Sequence, residues 1–144
     1  MMPVRIVEAA GGNARGLTIG VLGVTFEPNT DDIRDAPSLV VVPTLIGKGA
    51  SVKVYDPKGR ANAERLLDDV QWCDTAIDVA RDVDVLVVLT EWNEFRALDL
   101  KSVAALMRGG AVVDLRNVFN PEDAAAAGLW YHSVGRPAGD TRRL

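Results

Sequence analysis

The sequence predicts an α/β fold, specifically a Rossmann-like three-layer domain with a mainly parallel sheet of five or six strands. Three observations predict it. Short apolar runs rich in β-branched residues, Thr18 to Val24 and Val83 to Leu89 above all, lack the polar alternation of a half-exposed strand and read as strands buried on both faces. Segments of about ten residues with helical patterning separate them. Strand and helix then alternate along the chain, which is the order that lays a parallel sheet between two helical layers.

Thr18 to Val24 follows Gly16 and forms the first strand. A polar stretch from Thr25 to Pro37 leads to a helix over Ser38 to Lys48, which Gly49 stops and which Asp35 or Ser38 can cap. Pro43 inside that helix removes one ladder hydrogen bond and predicts a kink or an early break. Ser51 to Tyr55 is the second strand, ended by Asp56-Pro57; Arg60 to Leu67 suits a helix and Val70 to Trp72 a short strand. Asp74 is placed to cap a short helix from Thr75 to Arg81, and Val83 to Leu89, the most continuously apolar run, is the expected centre of the sheet. Asp99 caps a helix from Leu100 to Arg108, Gly109-Gly110 ends it, and Ala111 to Leu115 is a further strand. Pro121 opens a helix through Ala127, and Trp130 to Val134 can add an edge strand. Residues 1–15 read as the remnant of a preceding helix and linker, 16–136 as the domain and 137–144 as a tail.

The bulk properties exclude several classes. A chain of 144 residues with 48% hydrophobic and 25% charged residues is the size and composition of one globular domain. The net charge of −4 gives no footprint for a nucleic-acid backbone, and the pair Arg142, Arg143 is too short to supply one. Cys73 is the only cysteine, so neither an internal disulfide nor a multi-cysteine metal site is available, and a reducing cytoplasm fits best. No apolar run approaches the length of a membrane span.

In a sheet of this kind a ligand gathers beyond the carboxyl ends of the strands, where strand order reverses. The segments that matter are then Thr25 to Arg34, Thr90 to Phe95 and Arg116 to Asn120. Gly20 and Gly23 are not the dinucleotide fingerprint, which needs three glycines opening directly into a helix. The loop Phe26 to Arg34 is long for a first strand-to-helix connection, where about two to six residues are usual, and long loops at this edge tend to bind or catalyse. Arg34 and Arg116 carry planar guanidinium groups suited to phosphate oxygens, or pair structurally with Asp31, Asp32 or Asp114. Asp56 reads as a turn residue ahead of a ribose-binding acid. Cys73, with no Lys, His or glycine-rich loop beside it, reads as structural, His132 as an edge-strand residue, and Trp92 and Phe95 as core anchors ahead of base-stacking platforms.

Several ordered motifs carry a resemblance that runs from about Gly16 to Arg136. They are Gly23-Val-Thr-Phe26, Asn29-Thr-Asp-Asp-Ile-Arg-Asp-Ala-Pro-Ser38, Tyr55-Asp-Pro57, Thr90-Glu-Trp-Asn-Glu-Phe95, Asp114-Leu-Arg-Asn117 and Ser133-Val-Gly-Arg136. In this series the chain resembles the C-terminal domain of the UDP-glucose and GDP-mannose dehydrogenase family, on its UDP-glucose 6-dehydrogenase branch. Enzymes of that family oxidise a sugar C6 alcohol twice with two NAD, through a thioester on a cysteine. The resemblance implies an N-terminal NAD-binding domain and a central domain bearing that cysteine, neither of them here, and a C-terminal domain that closes over the UDP half of a UDP-sugar such as UDP-glucose. It implies that Phe26 and Arg116 contact the UDP-sugar, that residue 27 does too, and that Arg34 reaches across the interdomain cleft towards NAD. The family usually has Lys after the phenylalanine; here Glu27 stands there, and an acid repels an anionic nucleotide unless it turns into solvent. The alternative is a free-standing nucleotide-binding or regulatory module without catalytic activity.

Overall fold

The computed structural model describes Ile6 and residues 12–25, 27–34 and 36–133. Six strands form one sheet: β1 (Thr18–Leu22), β2 (Ser51–Tyr55), β3 (Val70–Trp72), β4 (Val85–Val88), β5 (Ala111–Asp114) and β6 (Trp130–Ser133), in the order β3-β2-β1-β4-β5-β6. Every neighbouring pair is parallel, with Val21 opposite Val54 and Val87, Val87 opposite Val113, and Val113 opposite His132. β4 lies inside the sheet and all four of its residues are buried, as its uninterrupted apolar run predicts. Chain order reverses between β1 and β4, which opens a crevice at their carboxyl ends.

Alternate strand residues face opposite layers. One face sends Val21, Val54, Val87 and Val113 against Val41, Val42 and Leu45 of helix α1 (Ser38–Gly47), with Ile6 and with Ala63 of α2 (Arg60–Ala63). The other sends Leu22, Leu86, Val88 and Val112 against α3 (Ala76–Ala80), α4 (Asn93–Arg96), α5 (Leu100–Leu106) and α6 (Pro121–Ala126). Each fully buried Val or Leu contributes about 1.5–3 kcal/mol. Gly20 belongs to this second face: a Cβ there would sit 2.6 Å from Val79 Cγ1 and 2.8 Å from the Val79 carbonyl oxygen, so the glycine lets α3 press onto the sheet. Lys53 fastens the C-terminal end of that helix, donating through Nζ to the carbonyls of Asp78 and Arg81.

Several local expectations are corrected. α1 runs through Pro43 to Gly47, and Thr44 Oγ1 bonds back to the Val40 carbonyl at 2.6 Å; burial of Val41, Val42 and Leu45 on both sides of the proline holds the helix against its missing hydrogen bond. Ser38 does not cap α1 but donates to the Val24 carbonyl at 2.8 Å, and Asp35, the other expected cap, lies outside the described residues. α2 has four residues, its expected continuation to Leu67 being turns in which Leu66 and Leu67 bond the Ala63 carbonyl. Thr75 rather than Asp74 caps α3, because Thr75 faces the Asp78 amide while Asp74 reaches Arg60 at 3.5 Å. Asp99 caps α5 as expected, and Pro121 opens α6 behind an Asn120 cap. α4 arises inside the expected loop Thr90 to Phe95. Val134, the expected end of β6, and the expected tail lie outside the described residues, as do the first residues of the expected linker apart from Ile6. Among the described residues no helix is long and apolar enough to cross a membrane.

Candidate functional site at the carboxyl edge of the sheet

The parallel ladder continues past the strand ends, since Gly23 N donates to Tyr55 O, Leu89 N to Leu22 O and Leu115 N to Val88 O. The ends of β1 and β4 are therefore tied side by side. Gly23 has φ +97°, and a Cβ on it would lie 2.5 Å from Thr90 Cβ and Oγ1 and 2.9 Å from the Thr90 amide nitrogen. Thr90 Oγ1 donates to the Thr25 carbonyl at 2.6 Å. Its side chain thus fills the notch where strand order reverses.

This bears on whether the described residues fit NAD. A dinucleotide fold presents a tight glycine turn opening into a helix N-terminus at that notch. Here residues 23–37 separate β1 from α1, Thr90 occupies the notch, and among the described residues no side chain caps the start of α1. The described residues do not make a dinucleotide cradle.

Two buried carboxylates shape the loops instead. Asp56, 6% exposed at the end of β2, accepts from the amides of Val24 (2.8 Å), Thr25 (3.2 Å), Lys58 (2.9 Å) and Gly59 (2.7 Å). It is the turn residue the Asp-Pro pair suggests, with its oxygens committed to the backbone that leads towards Phe26. Asp114, fully buried at the end of β5, accepts from the amides of Arg116 (3.1 Å) and Phe119 (2.8 Å) and from Tyr131 Oη (2.7 Å). Asn117, at φ +57°, turns this loop, and its side-chain oxygen accepts from Ser133 Oγ.

Arg116 sits on that loop, half-buried, and donates through Nε to the Leu89 carbonyl at the end of β4 (3.0 Å). Its amide bonds Asp114 Oδ1 at 3.1 Å. Arg34 lies on the loop after β1 and takes the structural pairing: its Nε and Nη2 bond Asp32 at 3.1 and 2.9 Å, and its side chain is 87% exposed. The Arg34 side chain beside it holds the Asp32 carboxyl below its usual value. Glu27 is exposed, and its carbonyl accepts from Thr25 Oγ1 at 2.9 Å. Phe26 lies outside the described residues. The ends of β1 and β5 are two strand spacings apart, roughly 10 Å, so Arg34 and Arg116 stand on loops at one edge of the sheet.

Two open clefts flank the crevice. One, of about 520 Å³, is lined by Asn29, Thr30, Asp31 and Lys58. The other, of about 450 Å³, lies between the loops after β4 and β5, among them Arg96, Lys101, Phe119 and Asn120. Trp92 and Phe95 are buried in the core rather than presented to a base. Burial pushes the half-buried Cys73 thiol up, which opposes a thiolate nucleophile, and His132 packs edge-on to Trp130 in β6. Tyr131 escaped the sequence reading as a shaper of the site, whereas Thr90 stood in a segment expected at the crevice and Ser133 in a motif of the resemblance, neither with a role of its own; the register that sets Ser133 opposite Asp114 comes from the sheet.

Comparison with known proteins bears on this geometry directly. The model of the UDP-glucose/GDP-mannose dehydrogenase family, UDP binding domain, matches residues 20–121. A UDP-glucose 6-dehydrogenase of Rhizobium meliloti (strain 1021) is 45% identical over 133 residues, covering 92% of this chain and 30% of that protein. The UDP-glucose 6-dehydrogenase TuaD of Bacillus subtilis (strain 168) is 41% identical over 128 residues, covering 88% of this chain and 28% of that one. The chain thus spans under a third of the length of these relatives. Among solved structures, a UDP-glucose dehydrogenase from Pyrobaculum islandicum matches with a TM-score of 0.67 at 34% identity, covering 78% of this chain and 24% of that one. An NDP-N-acetyl-D-galactosaminuronic acid dehydrogenase from Methanosarcina mazei Go1 reaches 0.76 at 28% identity, covering 94% and 28%. With the fold, the loop motifs and the matched residues in agreement, the chain belongs to the UDP-glucose/GDP-mannose dehydrogenase family, in the part that forms its UDP binding domain.

Proposed function

We propose that the chain is the C-terminal, UDP-sugar-binding domain of a UDP-glucose 6-dehydrogenase, which oxidises UDP-glucose in two NAD-dependent steps to UDP-glucuronate in the cytoplasm. The observation that carries the reading is the seat of Arg116. Its guanidinium is braced by the Leu89 carbonyl at the carboxyl edge of the sheet, within the region that the family's UDP binding domain covers. A planar cation held there supplies charge-assisted bonds to a diphosphate, and Phe26, as the resemblance implies, contacts the UDP-sugar too. NAD, the hydride acceptor, is held by the domains of the enzyme outside this chain, with Arg34 reaching towards it across the cleft. The catalytic cysteine also belongs there, since the Cys73 thiol is shifted away from the reactive thiolate.

Glu27, exposed where the family usually has a cation, favours the alternative of a nucleotide-binding module without catalytic activity. Titration with UDP-glucose, followed by calorimetry or NMR shifts, separates the possibilities. Arg116→Ala removes most of the affinity, and Glu27→Lys raises it by replacing a repulsive charge. If neither substitution changes binding, this edge is not the nucleotide site. The isolated chain reduces no NAD with UDP-glucose; turnover that vanishes in Cys73→Ser would overturn the assignment of the nucleophile.

A further inference from the structure

We infer that Tyr131 and Ser133, on the edge strand β6, are positioning residues for Arg116: they brace the loop after β5 so that the guanidinium is held ready for a diphosphate. The inference rests on the proposed role of Arg116 and extends it to two residues of β6 that contact the loop carrying it.

The loop between Asp114 and Asn120 has no regular structure of its own, and Arg116 is a long side chain whose freedom must be lost when it binds. Holding it beforehand lessens that loss, and affinity rises accordingly. The bracing is built from β6. Tyr131 is fully buried, and its hydroxyl stands 2.7 Å from Asp114 Oδ2 and 3.0 Å from the Phe119 carbonyl. Its oxygen therefore lies between the two ends of the loop. A phenol has a single proton, and the charged oxygen of Asp114 is the stronger acceptor. Asp114 in turn fixes the Arg116 amide through Oδ1 and the Phe119 amide through Oδ2. Two residues further along β6, on the same strand face, Ser133 Oγ donates to Asn117 Oδ1 beside Arg116, and Asn117 is the residue that turns the loop with a positive φ. The Leu89 carbonyl then fixes Nε from the β4 side. The path from β6 to the guanidinium is thus continuous: Tyr131 to Asp114 to the Arg116 backbone, and Ser133 to Asn117 next to it.

Burial in the second core accounts for the Tyr131 ring, while its hydroxyl stands against Asp114 and the Phe119 carbonyl of this loop. The experiment removes the hydroxyls and keeps the packing. In the 144-residue chain, Tyr131→Phe and Ser133→Ala are compared with wild type and Arg116→Ala, with uridine diphosphate as the probe. Two readouts are taken: the exchange rate of the Arg116 Nε–H proton without ligand, and the NMR titration with UDP. Exchange of Nε–H accelerates in Tyr131→Phe and Ser133→Ala while amide protons of β4 exchange as in wild type, which separates loss of positioning from loss of stability. UDP affinity falls about five-fold in Tyr131→Phe, the size of one lost hydrogen bond. Wild-type exchange and affinity in both variants, alongside a loss in Arg116→Ala, would overturn the positioning role and leave the Arg116 reading standing. Unchanged binding in Arg116→Ala, or no UDP shifts in wild type, would overturn that reading and this inference with it.

Discussion

Gly23 and Thr90 are fitted to each other across the ends of β1 and β4: the place a side chain on Gly23 would take is already occupied by Thr90 Cβ and Oγ1, each 2.5 Å from it. The contact closes the notch at which strand order reverses, and it leaves the loops after β2 and β5 to shape the binding edge.

Gly23→Ala therefore destabilises the chain on two counts, a left-handed backbone at φ +97° and a forced displacement of Thr90. The combined loss is on the order of 2–4 kcal/mol, read as a shift of the urea midpoint. Thr90→Ala does not rescue it, because the Thr90 amide nitrogen, 2.9 Å from the new Cβ, remains.

Asp56→Asn is costly although it is nearly isosteric. Both carboxylate oxygens accept, Oδ1 from Lys58 and Gly59 and Oδ2 from Val24 and Thr25. An amide turns a donor towards one of these pairs of N–H groups. The expected loss is about 2–3 kcal/mol, with faster amide exchange at Val24, Thr25 and Gly59 as the specific sign.

At the opposite edge, Asp84 accepts from Arg108 at 2.8 and 2.5 Å and from the Thr18 amide at 2.8 Å. The Arg108 side chain, ahead of the Thr18 bond, holds the Asp84 carboxyl below its ordinary 3.8. The unfolded chain thus takes up this proton first as pH falls, so the contribution is complete above about pH 4 and is lost on further acidification. Urea unfolding of Arg108→Gln should lie below wild type at pH 7, and the gap should narrow as pH drops below 4. A gap that is constant with pH would contradict the assignment.

Tyr55 donates to Glu94 at 3.0 and 3.1 Å, and burial first, then Glu94, raises its phenol from 10.0 to about 12. The folded chain keeps a proton that the unfolded chain releases, so stability declines as pH rises from about 10 to about 12. In a tyrosine ring-carbon NMR titration, Glu94→Gln should lower the midpoint only part of the way to 10.0, since burial, the larger cause, remains.

The strands and their order of burial were legible in the sequence because they are set by composition over several residues. The apolar runs at Thr18–Leu22, Val85–Val88 and Ala111–Asp114 can be shielded from water only between two helical layers, and the most apolar of them stands inside the sheet. The Asp99 cap and Pro121 start were legible for a related reason, in that each acts within its own helical turn. Other features had to wait for tertiary structure. Thr75 against Asp74 as a cap, and Ser38 turning to Val24, are choices among acceptors a few ångströms apart, decided by where distant segments arrive. The same holds at the binding edge. Nothing local distinguishes an arginine bound for Asp114 from one that reaches the Leu89 carbonyl 27 residues away, or a tyrosine that only fills the core from one whose hydroxyl spans a loop on the neighbouring strand. Hydrophobic burial is non-directional and survives averaging over a segment, whereas a hydrogen bond depends on angle and on a few tenths of an ångström, which the packed sheet alone provides.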